Sequence, residues 1–172
     1  MSVVAVKVEK TKITIGADSI RLFGLTQEKD KLAKLSVINK EMVLGAVGDS
    51  ATNSLFKDFL ENHLPKTNNE AGWTMLIRDF ANFLCELKNA PKFESSNFLI
   101  VYRHKVFLVS GYFIREVNDY YAIGAGMDYA LAALYLGASV EKAIKAACHL
   151  SILCEEPINI VQVNGKGIIH NY

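Results

Sequence analysis

Apolar positions in this chain fall into short runs of strand length and longer stretches of helical spacing. Ser2-Val3-Val4-Ala5-Val6-Lys7-Val8 reads as a short alternating strand, and Ile13-Thr14-Ile15 follows the polar turn Glu9-Lys10-Thr11-Lys12, as in an antiparallel hairpin. Met42-Val43-Leu44 reads as another strand, closed by the small-residue turn Gly45-Ala46-Val47-Gly48. Asp49 or Ser50 then caps a helix whose Leu55, Phe56, Phe59 and Leu60 recur at helical spacing and which ends before Pro65. Beyond the polar linker 66–70, a second amphipathic helix is predicted over 73–87, stopped by Asn89-Ala90-Pro91.

The second half repeats this grouping. Strands are predicted over 97–102 and 106–110, joined by Arg103-His104-Lys105, with a further strand pair leading to Ile123. Gly124-Ala125-Gly126 makes a tight strand-to-helix turn into a helix over 127–135, and Gly137-Ala138-Ser139 separates this from another over 140–152. Ser139 suits its N-cap, and Glu141 suits the positive end of the helix dipole. Closing strands over 158–163 and 167–170 turn at Asn164-Gly165, a strong hairpin signal. Strands, two helices, strands, two helices and strands pack best as two antiparallel sheets face to face with helices outside each, an α+β sandwich of four layers, αββα.

Composition narrows the picture little. At 172 residues with 51% hydrophobic content, one domain spanning 1–172 can bury a sizeable core. A net charge of +1 and a pI near 7.7 give no electrostatic footprint for nucleic acid or an anionic membrane. The lysines of 7–12 and 29–34 alternate with Glu9, Glu28 and Asp30 and read as solvated faces. No basic leader precedes an apolar run and no apolar run approaches about 18 residues, so a cytoplasmic protein is expected. Cys85, Cys148 and Cys154 have no framework spacing and read as reduced thiols; Cys148-His149 with Cys154 is more simply a set of buried small residues than a metal site.

Ser2 carries the candidate chemistry. With Met1 removed, as is usual before a small residue, hydroxyl and α-amine lie on one residue, and the amine, with an unperturbed pKa of roughly 7.7–8.0, can take the hydroxyl proton. Asp18 closes the second strand, Lys34 lies in Lys31-Leu32-Ala33-Lys34-Leu35-Ser36, and Gly48 follows the third strand. Together with Gly16-Ala17-Asp18-Ser19, Leu44 to Gly48, Phe98-Leu99-Ile100-Val101-Tyr102 and Tyr121 to Ala130, these residues resemble the proteasome β-subunit family over nearly the whole chain, especially its short bacterial HslV-type branch.

That resemblance implies the N-terminal-nucleophile (Ntn) hydrolase fold and a serine-type peptidase acting on unfolded polypeptides. It makes Ser2 the nucleophile, Lys34 its cationic partner, Asp18 the holder of that ammonium and Gly48 the oxyanion donor. Ile20, Ala46, Val47 and Ser50 would line the substrate pocket, with Ala46 and Val47 as a small apolar wall favouring apolar or small residues before the cut bond. Ser19, Ala125 and Gly126 would form the supporting turns. It further implies rings of six or seven like subunits, doubled face to face, an ATP-dependent unfoldase as partner, and the 126–135 segment as a packing surface. No organic cofactor or catalytic metal is implied; a structural monovalent or divalent cation on main-chain carbonyls near the last helix is compatible with the family, although no side-chain signature marks it.

Three departures are visible. Ala125 stands where the family has a serine, Ile20 where an arginine often follows the Asp-Ser pair, and 150–157 has no clear counterpart of the usual aspartate, with Glu155 or Glu156 as substitutes. These losses give a second reading, an inactive ring subunit or scaffold of the same fold. Gly48-Asp49-Ser50 also spells the start of a Gly-Asp-Ser-Leu esterase block, but the Asp-x-x-His that this chemistry needs is absent.

Overall fold

The computed structural model describes residues 2–24, 26–28, 34–165 and 167–171, without the side chains of 22, 23, 27, 28 and 169–171. In chain order the elements are β1 (Val3–Val8), β2 (Lys12–Ala17), β3 (Arg21–Phe23), β4 (Thr26–Glu28), β5 (Leu35–Asn39), β6 (Met42–Gly48), α1 (Ser50–Asn62) and α2 (Glu70–Glu86). There follow β7 (Ser96–Tyr102), β8 (Lys105–Ser110), β9 (Phe113–Val117), β10 (Tyr120–Gly124), α3 (Met127–Tyr135), α4 (Val140–Leu150), β11 (Asn159–Asn164) and β12 (Gly167–Asn171).

Two antiparallel sheets result, ordered β10-β1-β2-β11-β12 and β5-β6-β7-β8-β9, with β3 and β4 as a separate ribbon. Their facing sides share one core of Val4, Val6, Ile15, Val43, Leu99 and Val101. The outer face of the second sheet packs Phe98, Ile100 and Phe107 against Phe56, Trp73, Ile77 and Phe80 of α1 and α2. The outer face of the first packs Val3, Ala5 and Ala122 against Ala130, Leu134, Ala143 and Ala147 of α3 and α4. Covered on both faces, β1 and β7 are continuously apolar over Val3 to Val6 and Phe98 to Tyr102, and alternate residues serve different cores. This is the four-layer α+β sandwich expected.

The two outer layers close by different means. On the α1/α2 side, aromatic rings fill the space, with Phe56 centred 4.5 Å from Phe98 and 4.8 Å from Phe80. On the α3/α4 side, small residues bring the helices down onto the sheet. A Cβ at Gly16 would lie only 2.7 Å from Ile144 Cδ1.

Several boundaries differ from the sequence reading. The segment Gly45 to Gly48 is strand, not turn: β6 continues through it, paired with β7 from Met42↔Tyr102 to Gly48↔Ser96. The strand tolerates glycine there because Val4 and Ile15 of the facing sheet approach within 3.2 Å of where the Gly45 Cβ would stand. Helix α2 begins at Glu70, inside the presumed linker, because Asn69 accepts from Gly72 N at 2.9 Å as N-cap.

The strands expected as a pair before Ile123 do not pair. β9 joins β8 and β10 joins β1, so the chain crosses between sheets after Val117. α4 stops at Leu150, and β5 and the β3/β4 ribbon have no counterpart in the apolar pattern. Asn164 remains in β11, opposite Gly167. Asp49 and Ser139 are the N-caps of α1 and α4, accepting from Thr52 N and Lys142 N. Among the described residues no helix is long and apolar enough to cross a membrane.

Candidate active site

Asp18 is the hub. Emerging from the end of β2, its carboxylate is fully buried and accepts four N–H donors. Oδ1 takes Val3 N at 2.8 Å and Lys34 Nζ at 2.7 Å; Oδ2 takes Ile20 N and Glu155 N, each at 3.3 Å. One side chain thus ties the start of β1, the turn after β2, the lysine before β5 and the loop after α4. A buried carboxylate is stable only with such full pairing.

Lys34 reads in sequence as one lysine of a solvated cluster, but the fold buries it. Its side chain is 13% exposed and ion-paired to Asp18, while 29–33 lie outside the described residues. Burial lowers the lysine pKa from its ordinary value more than the Asp18 charge and hydrogen bond raise it. Lys34 also fixes the neighbouring strand, its carbonyl accepting from Ala46 N at 3.0 Å.

Ser2 lies buried at the mouth of β1. Its carbonyl accepts from Gly126 N at 3.2 Å, and a Cβ at Gly124, whose φ is +96°, would collide with that carbonyl. Glycine at 124 is therefore required for the serine to sit where it does. Met1, on whose removal the sequence argument depends, lies outside the described residues.

Ser2 and Lys34 face a cleft of about 580 Å³, shared with Ile20, Ala46, Val47, Gly48 and Ser50. The structure thus brings the predicted nucleophile, cationic partner, oxyanion glycine and pocket residues to one place, with Asp18 directly behind. A second cleft, of about 450 Å³ over β2 and β11, contains none of them. Gly48, with φ +109°, turns the chain out of β6; a Cβ there would collide with Ser95 O and stand 2.7 Å from Ser96 Cα.

The expected small apolar wall is incomplete. Leu44, Ala46 and Val47 are present, but one face of α1 contributes Ser50, Asn53, Ser54 and Lys57 at i, i+3, i+4 and i+7, and Arg21 and Ser36 complete the lining. These were legible as a polar stripe on α1, which the apolar stripe Phe56, Phe59 and Leu60 overshadowed.

Ser19 does not line the cleft. Its hydroxyl donates to Pro157 O at 2.6 Å and accepts from Asn159 Nδ2 at 3.1 Å, and its amide donates to Glu155 O at 3.0 Å. It clamps the loop after α4. Glu155 accordingly serves Asp18 through its main-chain N–H, and Glu156 is exposed. Ala125 is exposed, and Gly126 packs so closely that a Cβ would lie 2.5 Å from Cys154 Sγ.

Cys148 and Cys154 are near enough to Asp18 and Lys34 to feel both charges. Burial first, then the Asp18 charge, pushes their thiols up to about 12 and about 11. Among the described residues no group of three or more His, Cys, Asp or Glu is placed to hold a metal.

No family model and no curated protein matches the sequence. Solved structures match its fold closely. BPH of Thiobacillus denitrificans in complex with epoxomicin superposes with a TM-score of 0.83 at 18% identity, covering 94% of this chain and 98% of that one. BPH alone gives 0.81 at 18% identity, with 94% and 97% covered. The eukaryotic HslV from Trypanosoma brucei gives 0.72 at 18% identity, with 94% and 99% covered. With two five-stranded antiparallel sheets between helix pairs and these neighbours across nearly its whole length, the chain has the fold of the proteasome-β and HslV-like Ntn hydrolases.

Proposed function

We propose that this protein is a serine-type N-terminal peptidase subunit of a self-compartmentalising ring that cuts unfolded polypeptides. The observation carrying the reading is that Ser2 and Lys34 face one cleft while Asp18, buried behind it, holds Lys34 at 2.7 Å. After loss of Met1, the α-amine of Ser2 takes the hydroxyl proton, directly or through a water, and Oγ attacks the peptide carbonyl. The Lys34 ammonium favours the developing alkoxide. Ala46 N–H points to the β5 edge, where it meets Lys34 O, and the two-residue repeat of a strand directs Gly48 N–H to that edge beyond Leu35, as an oxyanion donor. The amine then protonates the leaving nitrogen, and water activated by the same amine hydrolyses the ester.

Assembly into rings of six or seven like subunits, doubled, with an ATP-dependent unfoldase, supplies the confinement that so unselective a chemistry requires. Exposed Tyr135 and Leu136 at the end of α3, with Leu150 at the end of α4 and Ile152 just beyond it, support subunit packing on that layer. Ala125, which offers no hydroxyl near the amine, favours the alternative of an inactive ring subunit. Intact mass together with turnover of a fluorogenic peptide separates the two. A chain lacking Met1 that turns over peptide, loses activity in Ser2→Ala and gains the mass of one epoxomicin, the ligand of BPH, supports the peptidase. A mass retaining Met1, with neither turnover nor adduct, supports the scaffold.

A further inference from the structure

The cleft's charge runs against its expected apolar preference. Among the described residues its lining contains three cations, Arg21, Lys34 and Lys57, and no carboxylate. Lys34 is offset by Asp18 behind it. Lys57 is paired with Glu61 at 3.0 Å and Asp58 at 3.8 Å, in pairs whose side chains are 41% to 69% exposed. Exposed pairs on one helix are weak and screened, so a carboxylate arriving within the cleft displaces them readily. Arg21 is the third cation of the lining.

Asn53 provides an independent observation on the same face of α1. Its Oδ1 is buried without a hydrogen-bond partner, the one such side-chain atom among the described residues. An unpartnered buried acceptor is costly to keep, and the other end of the same carboxamide is an NH₂ group with two N–H donors. With Ser50 and Ser54 beside it, the helix face is built of groups that donate to an anion.

We propose that this cleft receives the residue on the acyl side of the cut bond and selects an acidic side chain, with Lys57 as the specificity-determining cation and Asn53 as its neutral donor. The inference rests on the peptidase reading and sharpens its substrate class from unfolded polypeptide to acidic sites within it.

The test uses the assembled protein lacking Met1 and four internally quenched peptides that differ only in carrying Glu, Gln, Leu or Lys before the scissile bond. kcat/KM for Glu should exceed that for Gln by about tenfold, as a charge-assisted contact beats a neutral one. The advantage should narrow at about 0.5 M salt. Lys57→Gln should bring the Glu-to-Gln ratio to about one, and Lys57→Glu should turn the preference towards Lys. Fastest cleavage of the Leu peptide, or an unchanged ratio in Lys57→Gln with the fold intact by thermal unfolding, would overturn the acidic pocket while leaving the peptidase standing. Cleavage of none of the four, with no epoxomicin adduct, would remove the peptidase reading and this inference together.

Discussion

Replacing Asp18 by Asn tests whether one carboxylate joins four parts of the fold. Each oxygen accepts two donors, Val3 N and Lys34 Nζ on Oδ1, Ile20 N and Glu155 N on Oδ2. A carboxamide of the same shape has one acceptor oxygen. Keeping it toward Val3 and Lys34 sets its NH₂ against the two remaining main-chain donors, each at about 1–3 kcal/mol for a buried group left unsatisfied. The Lys34 contact also falls from an ion pair to a neutral bond. Two such donors amount to about 2–6 kcal/mol, a span centred on that for removing one partner of a buried pair, about 3–5 kcal/mol, which is the cost expected here.

For a chain of this size that corresponds to a fall in melting temperature of about 6–20 °C, measured at fixed protein concentration in the same assembly state. The Lys34→Met background supplies the control. There Asp18 is already a buried charge without its ammonium, and neutralising it costs less, giving a coupling of about 2–3 kcal/mol in a double-mutant cycle. An Asp18→Asn cost below about 1 kcal/mol, or an equal cost in both backgrounds, would refute the hub.

Other positions give shorter tests. Gly48→Ala forces a Cβ into Ser95 O at φ +109°, so we expect a loss of about 3 kcal/mol or more in denaturant unfolding together with loss of peptidase turnover. Burial lowers the folded-state pKa of Lys34, so between that value and the unfolded 10.5 the unfolded chain holds more protons and folding gains stability as pH rises. The stability of wild type relative to Lys34→Met should therefore climb through this alkaline window; a flat difference would contradict it. Iodoacetamide near pH 8 should label exposed Cys85 and leave Cys148 and Cys154, whose thiols are pushed up to about 12 and about 11, until the chain is unfolded; mass spectrometry of the digest reads the result.

The sequence by itself determined the local elements and the inventory of chemical groups. Apolar runs such as Val3 to Val6 and Phe98 to Tyr102 marked strands, and Asp49 and Ser139 marked helix starts, because these signals are written within a few residues. Short strands such as β3, β4 and β5 left no such signal, since runs of three to five residues depend on neighbouring strands to hold them. The tertiary structure alone decided that Gly45 to Gly48 is strand, that β9 and β10 belong to different sheets, and that Lys34 is buried. Each depends on a partner distant in sequence: β7 for the first, β1 taking β10 for the second, Asp18 for the third. The cleft shows the same division. Ser2, Lys34 and Gly48 were each legible as residues able to do chemistry, but the cationic, hydroxyl-rich wall from α1 took shape only when packing turned Phe56, Phe59 and Leu60 into the core and left Ser50, Asn53, Ser54 and Lys57 facing the serine.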